Sequence, residues 1–174
     1  MKFDFASYTE MARWLRRRAE DVAVALLAAM FLAFIIQIVF RYLLNFPIGW
    51  TSELSSITWT WLVLWGAAFV LREDEEIRFD IIYGSVSPAV RRWMVIFVSV
   101  SLVALYTISL PAVVDYVAFM KVEESSYLNI RFDFLFSIYV IFAVASIVRY
   151  LWLGWRAWKG ETEAFDPLKA GSGV

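Results

Sequence analysis

Cysteine and histidine are both absent from the 174 residues. Without cysteine there is no disulfide, no thiolate metal site and no cysteine nucleophile. Without histidine the chain lacks the usual general base, the usual zinc ligand and the axial ligand of most haem proteins. Charge is also scarce. Asp, Glu, Lys and Arg make up 19% of the chain, against about a quarter in a soluble domain, and the net charge is −1. No basic field exists to attract nucleic acid. The common kinds of enzyme active site and a haem anchor are therefore disfavoured, and no cofactor is expected in this chain.

Apolar side chains fill the space. They form 61% of the residues, and mean hydropathy is +0.66. They fall in four runs, at about 22–44, 54–71, 93–119 and 134–153. A membrane-crossing helix needs roughly 20 mostly apolar residues, and in lipid each run must be helical to satisfy its own backbone. The fold class expected is an all-α membrane protein: one four-span domain over 1–160, which includes an N-terminal amphipathic surface helix at about 7–20. The polar tail 161–174 is expected to be disordered and cytoplasmic.

Lysine and arginine set the orientation. Thirteen lie in the N-terminal flank, in the loop between the second and third spans, and on the C-terminal side. Only Arg41, Lys121 and Arg131 lie on the other side. The positive-inside rule then places both termini in the cytoplasm. Trp14, Trp50, Trp93, Trp152, Trp155 and Trp158 sit near helix ends, where an apolar ring with one N–H donor favours the headgroup zone. In the first 20 residues, Ser7 and Glu10 have capping-box spacing, and Tyr8, Met11, Ala12 and Leu15 form a stripe. Arg13, Arg16 and Arg17 lie off that stripe, so this helix can rest on anionic lipid; the alternative is a helical extension of the first span. A cleaved signal peptide is disfavoured, because the apolar run is long and no small-x-small site follows it. Ser87-Pro88 reads as an N-cap with proline at the first helical position.

The densest polar cluster joins the first and second spans, from Arg41-Tyr42 through Asn45-Phe46-Pro47 to Trp50-Thr51-Ser52-Glu53. Arg41 must snorkel or find a partner, and Glu53 is the nearest acid, within this chain or across a subunit interface. Thr51 or Ser52 can cap the second helix. Trp61 and Trp65 share a face beside Gly66-Ala67-Ala68, a mixture of rings and small residues that suits close helix packing. Asp115 lies beyond Pro111 and reads as part of a solvated extension. Gln37 is the one strongly polar side chain well inside the first span. The acidic run 73–76 lacks the spacing of an ion-binding loop. No Asp, Glu, Lys or Arg lies deep in any span, so a substrate or ion pathway is not visible. An accessory subunit is favoured over a self-sufficient, homo-oligomeric small transporter or channel.

These motifs resemble the small membrane subunit of tripartite ATP-independent periplasmic (TRAP) transporters, the DctQ-like family. The similar stretch begins at Phe40-Arg41-Tyr42, Asn45, Pro47 and Trp50. It continues through Ser52-Glu53-Leu54 and Trp65-Gly66-Ala67-Ala68 to Arg72 and Ile77-x-x-Asp80. Ser52 stands where the family often has a second acid, and Glu76 where it often has histidine. The resemblance implies two partners: a large membrane subunit, which forms a heterodimer with this chain and carries the substrate and sodium sites in an elevator-like transport domain, and a periplasmic substrate-binding protein that meets the complex transiently. It implies organic acids as substrates, and a scaffold role for this chain in the bacterial inner membrane. On that reading Arg41, Tyr42, Asn45, Pro47, Trp50, Glu53, Trp61, Trp65, Gly66, Arg72 and Asp80 are structural or partner-interface residues. Arg13, Trp14, Arg16, Arg17, Trp152, Trp155 and Trp158 meet the membrane surface and its lipids. No residue is assigned to catalysis, substrate or metal.

Overall fold

The first helix has nothing to stop it. No glycine or proline occurs between Phe5 and Phe46, and α1 runs unbroken over Phe5–Ile38 before a π-helical turn, Val39–Leu43. The computed structural model describes residues 5–71 and 86–160. Arg72, Asp80, the acidic run 73–76 and the tail 161–174 lie outside the described residues, as do the side chains of Ser7, Tyr8 and Ala12. The expected surface helix at 7–20 is not a separate element. It is the first third of α1, stiffened by Arg16–Glu20 at 2.9 Å and Arg18–Asp21 at 3.3 Å. Thirty-four residues extend about 51 Å, well beyond a hydrocarbon core of about 30 Å, so part of α1 must project from any bilayer it crosses.

The second helix, α2, covers Trp50–Trp65 and continues as a π-helical segment, Gly66–Val70. Its N-cap is Gly49, without a side-chain cap bond, and not Thr51 or Ser52. Thr51 lies inside the first turn, buried, with its hydroxyl donating to the Ile48 carbonyl at 3.2 Å. The helix is rich in hydroxyls, and most spend their proton on the preceding turn. Ser55 donates to the Thr51 carbonyl (2.9 Å), Thr58 to Leu54 (2.7 Å) and Thr60 to Ser56 (3.0 Å). Such back-bonding lets serine and threonine sit in an apolar setting without an orphan donor.

The third helix, α3, covers Pro88–Phe119 and ends in a 3-10 turn, Met120–Val122. It opens as the sequence indicates, with the Ser87 carbonyl accepting from Arg91 N at 3.0 Å ahead of Pro88. Pro111 lies inside it, and Asp115 is exposed beyond. The fourth helix, α4, covers Phe132–Lys159 and stops at Gly160, whose φ of 86° suits glycine in a C-terminal cap. Among the described residues the only β pairing is a single antiparallel bridge, Glu124 to Arg131.

Among the described residues three helical stretches are long and apolar enough to cross a membrane: Arg13–Leu43, Pro88–Val122 and Phe132–Lys159. The stretch from Trp50 to Val70 is not among them, because its serines, threonines and indoles lower its hydropathy.

The chain divides into two compact units. One comprises Met1–Val70 with Val114–Phe142, the other Leu71–Val113 with Ala143–Val174. In the first, α1 packs along α2, and the Trp61 indole ties α2 to the start of α4. Ala19, Ala33, Thr51, Thr58, Ala68 and Ile138 are buried there. In the second, Val95 of α3 packs on Leu153 and Ala157 of α4, with Ile96 and Tyr150 alongside. The two helices approach closely at Gly154, where an added Cβ would stand 3.2 Å from the Ser99 Cβ. Arg92 donates to the Trp158 carbonyl, and Arg149 to the Leu71 carbonyl at 3.2 Å. Each guanidinium thereby satisfies a carbonyl at a helix end.

The two helical glycines make opposite predictions. Leucine at Gly154 is expected to overpack the Ser99 contact and destabilise by about 1–3 kcal/mol. Alanine at Gly66, where an added Cβ meets nothing within 4 Å, is expected to stabilise by about 0.5–1 kcal/mol. Thermal melting of the two variants in detergent measures both.

Candidate functional site

The polar cluster singled out in the sequence lies at one end of the first unit. The last turn of α1 widens into the π turn, and Leu44 N then donates to the Val39 carbonyl (3.2 Å) and Phe46 N to the Phe40 carbonyl (2.9 Å). Asn45 takes a left-handed conformation, φ 50°, which asparagine tolerates better than most side chains. The chain turns through Pro47 and Ile48 into Gly49 and α2. The Tyr127 ring lies against Gly49 so closely that a Cβ there would run into it.

Tyr127 belongs to the loop joining α3 and α4, which is folded on itself. Ser125 N donates to the Ile130 carbonyl (2.9 Å), Phe132 N to the Glu123 carbonyl (3.0 Å) and Ile130 N to the Ser125 hydroxyl (3.2 Å). Asn129 takes a second left-handed conformation, φ 51°. Arg131 pairs with Asp133 through two bonds, 3.2 and 2.6 Å, and Asp133 accepts from Phe134 N at the first turn of α4.

Glu53 joins this loop to α2. Tyr127 N lies 3.1 Å from both of its carboxylate oxygens, and Leu128 N donates to Oε2 at 3.0 Å. Desolvation raises the carboxyl's pKa, but the bonds from Leu128 and Tyr127, helped by Ser125 and Ser126, outweigh it. The net position is below the usual glutamate range. Glu53 also occupies the first turn of α2, where the helix dipole favours an anion.

Two indoles carry the junction inward. Trp61 Nε1 donates to the Leu135 carbonyl of α4, and Trp65 Nε1 to the Ala19 carbonyl of α1, each at 3.0 Å. Trp61 also stacks on Phe134, ring centroids 5.8 Å apart. Each bond adds on the order of 1 kcal/mol in an apolar setting. Beside Glu53 a cleft of about 360 Å³ opens between α2 and α4, with Ser56 and Thr60 on one wall and Phe132 and Phe136 on the other. Among the described residues no three His, Cys, Asp or Glu side chains converge as a metal site.

Residues 30–160 match the DctQ component of tripartite ATP-independent periplasmic transporters. The chain belongs to the DctQ family. It is a small membrane subunit of a TRAP transporter, of the kind that associates with a large TRAP membrane subunit and a binding protein. A search of curated proteins finds no match.

Within this family member the expected residues part company. Arg41 and Glu53 do not pair within the chain. Glu53 is taken by backbone amides, and Arg41 is exposed, its guanidinium 5.8 Å from the Tyr42 ring centroid. Tyr42 is exposed, Trp50 opens α2, and Trp61 and Trp65 bridge helices. A Cβ added at Gly66 would meet no described atom within 4 Å, while Ala68 beside it is buried. Arg16, expected at the membrane surface, reaches the Val70 carbonyl at 3.4 Å with its guanidinium. Trp14, Trp152, Trp155 and Trp158 are exposed. Cations lie over three of these rings: Arg18 over Trp14, Arg156 over Trp152 and Lys159 over Trp155. Arg13 and Arg17 are exposed on α1.

Sequence reasoning missed Gly49, the amides of Tyr127 and Leu128, and the carbonyls of Leu135 and Ala19. Four of these five are backbone groups, which leave no trace in residue type. Gly49 next to Trp50 was the one available signal.

The Glu53 bonds predict a pH dependence. Folding lowers the carboxyl's pKa, so the stabilisation is complete above the unfolded value and is lost as pH falls through the folded value. Wild type is expected to melt above Glu53→Gln at neutral pH, with the gap closing as pH drops below the glutamate range. A gap that stays constant through that range would show that the charge is not what holds the loop.

Proposed function

We propose that this chain is the fixed scaffold subunit of a sodium-coupled importer of organic acids in a bacterial inner membrane. It holds a large elevator-type subunit in the bilayer, while that subunit carries the substrate and sodium sites. One observation carries the reading: α1, α2 and α4 of the first unit are tied by the Glu53 clamp and two indole bonds, yet the described spans present no charged pathway. A static frame suits a partner that moves.

In this reading the fourth span, at about 54–71, is supplied by the helical stretch from Trp50 to Val70, with Glu53 in the first turn outside the lipid. The 16 α-helical and five π-helical residues of that stretch extend about 31 Å, close to the thickness of a hydrocarbon core. Both termini lie in the cytoplasm, as the lysine and arginine asymmetry favours. The Glu53 junction and the loop 123–131 then face the periplasm, where they are available to the substrate-binding protein. The tryptophans with overlying cations hold the opposite ends at the membrane surface.

The cysteine-free sequence permits a direct test of sidedness. A membrane-impermeant maleimide added to intact cells is expected to label Phe46→Cys and Val122→Cys, and to label Lys159→Cys only after permeabilisation. The reverse pattern would overturn the orientation. Uptake tests the role. In proteoliposomes an inward sodium gradient is expected to drive organic-acid uptake when this chain, its large subunit and the binding protein are all present, and to drive none with this chain alone. Sodium-dependent uptake by the chain alone would establish a self-sufficient transporter instead.

A further inference from the structure

Glu53 has hydrogen-bond donors but no counter-cation. The amides of Tyr127 and Leu128 bond to it, while Arg131, the basic residue of the same loop, is spent on Asp133. Among the described residues no lysine or arginine forms a salt bridge with it. Its negative charge stands at one end of the cleft of about 360 Å³ between α2 and α4.

The rest of the lining is also short of donors. Ser56 has given its proton to the Ser52 carbonyl (3.1 Å), and Thr60 to the Ser56 carbonyl (3.0 Å). The Ser125 hydroxyl bonds to Glu53 itself. Each of these oxygens keeps a lone pair to offer and no proton. Among the described groups of the lining only Ser52, exposed at the rim, keeps a side-chain proton to give. The opposite wall is Leu135 with the rings of Phe132 and Phe136, whose centroids are 5.7 Å apart.

Such a lining selects its ligand. An anion would be repelled by Glu53 and would find almost nothing to bond to. A metal ion calls for about six oxygens converging on one point. Here Ser52, Ser56 and Thr60 follow one another along the helix at intervals of about 6 Å, and the wall facing them is apolar. A primary ammonium on an apolar stem suits every part. Its charge answers Glu53, its three N–H groups answer the hydroxyl oxygens, and the rings favour a cation beside them. The depth is right for a lipid head. Glu53 stands in the first turn of α2, outside the lipid, and Thr60 lies about 10 Å deeper along the helix. Trp59 and Phe134, next to lining residues in sequence, are exposed and apolar, as suits side chains among acyl chains.

We propose that the cleft between α2 and α4 is a binding site for a primary ammonium group, filled in the membrane by the ethanolamine head of a phospholipid. The inference rests on the reading of α2 as a spanning helix, which labelling of Phe46→Cys and Val122→Cys tests on its own.

Native mass spectrometry of the full chain in detergent measures binding of three added lipids with identical acyl chains. Phosphatidylethanolamine is expected to bind about tenfold more tightly than phosphatidylglycerol, with phosphatidylcholine, a cation without N–H donors, between them. Ser56→Leu fills the cleft and leaves the Glu53 carboxylate and its amides in place; it is expected to abolish the preference. Glu53→Gln is expected to weaken phosphatidylethanolamine binding by about tenfold, with circular dichroism melting to separate loss of the site from loss of folding. Equal binding of the three lipids would mean adventitious annular lipid only and would overturn the proposal. So would a preference that survives both substitutions, which would put the site elsewhere. If decylamine binds in a Glu53-dependent manner and phosphatidylethanolamine does not, the ligand is a free amine and the lipid assignment is wrong. If bound phosphatidylethanolamine is lost whenever the large subunit copurifies, a side chain of that partner fills the cleft, and the lipid assignment is again wrong.

Discussion

Glu53 accepts N–H bonds from two consecutive amides, and the ends of three helices meet at that carboxylate. On one side is the first turn of α2; on the other is the loop that ends α3 and begins α4. The arrangement works because each partner solves a problem for the other. Turn amides that bond to no strand or helix need an acceptor, and a carboxylate gives them a charge-assisted one. A carboxylate close to an apolar bundle needs donors to offset its desolvation. The outcome is a lowered pKa and an ordered loop, achieved without a basic partner. Among the described residues Arg41 has no acid beside it, only the ring of Tyr42.

The same economy recurs at several places where polar groups enter the helices. Hydroxyls of α2 return their protons to carbonyls one turn back, and the indoles of Trp61 and Trp65 donate to carbonyls of neighbouring helices. Arg92 and Arg149 do likewise at helix ends of the second unit. Backbone carbonyls have a second lone pair, so they accept these bonds without surrendering the helical ladder. The frame is held by side chain to backbone bonds more than by salt bridges, whose described examples lie on exposed surfaces and contribute little.

Many large apolar side chains remain exposed in the isolated chain, among them Phe31, Phe97, Leu105 and Ile108. In water such a surface would be untenable. It is the ordinary outer face of a chain that lies among lipid and other helices, and it fits membership in a family whose members function beside a larger membrane subunit.

Several features follow from the sequence alone, because they depend on composition or on local chemistry. Long apolar runs must be helical in lipid. Ser87-Pro88 must open a helix. A stretch from 5 to 46 without glycine or proline has no point at which to break, although its charged first third invited division into a surface helix and a span. The motifs at 40–80 indicated the family. What tertiary structure alone decided is which groups meet. Residue types make Arg41 and Glu53 obvious partners, being opposite charges twelve positions apart. The fold separates them, because backbone amides from a loop more than seventy residues away reach the carboxylate first. Those amides belong to every residue alike, so no reading of side chains could have foreseen them.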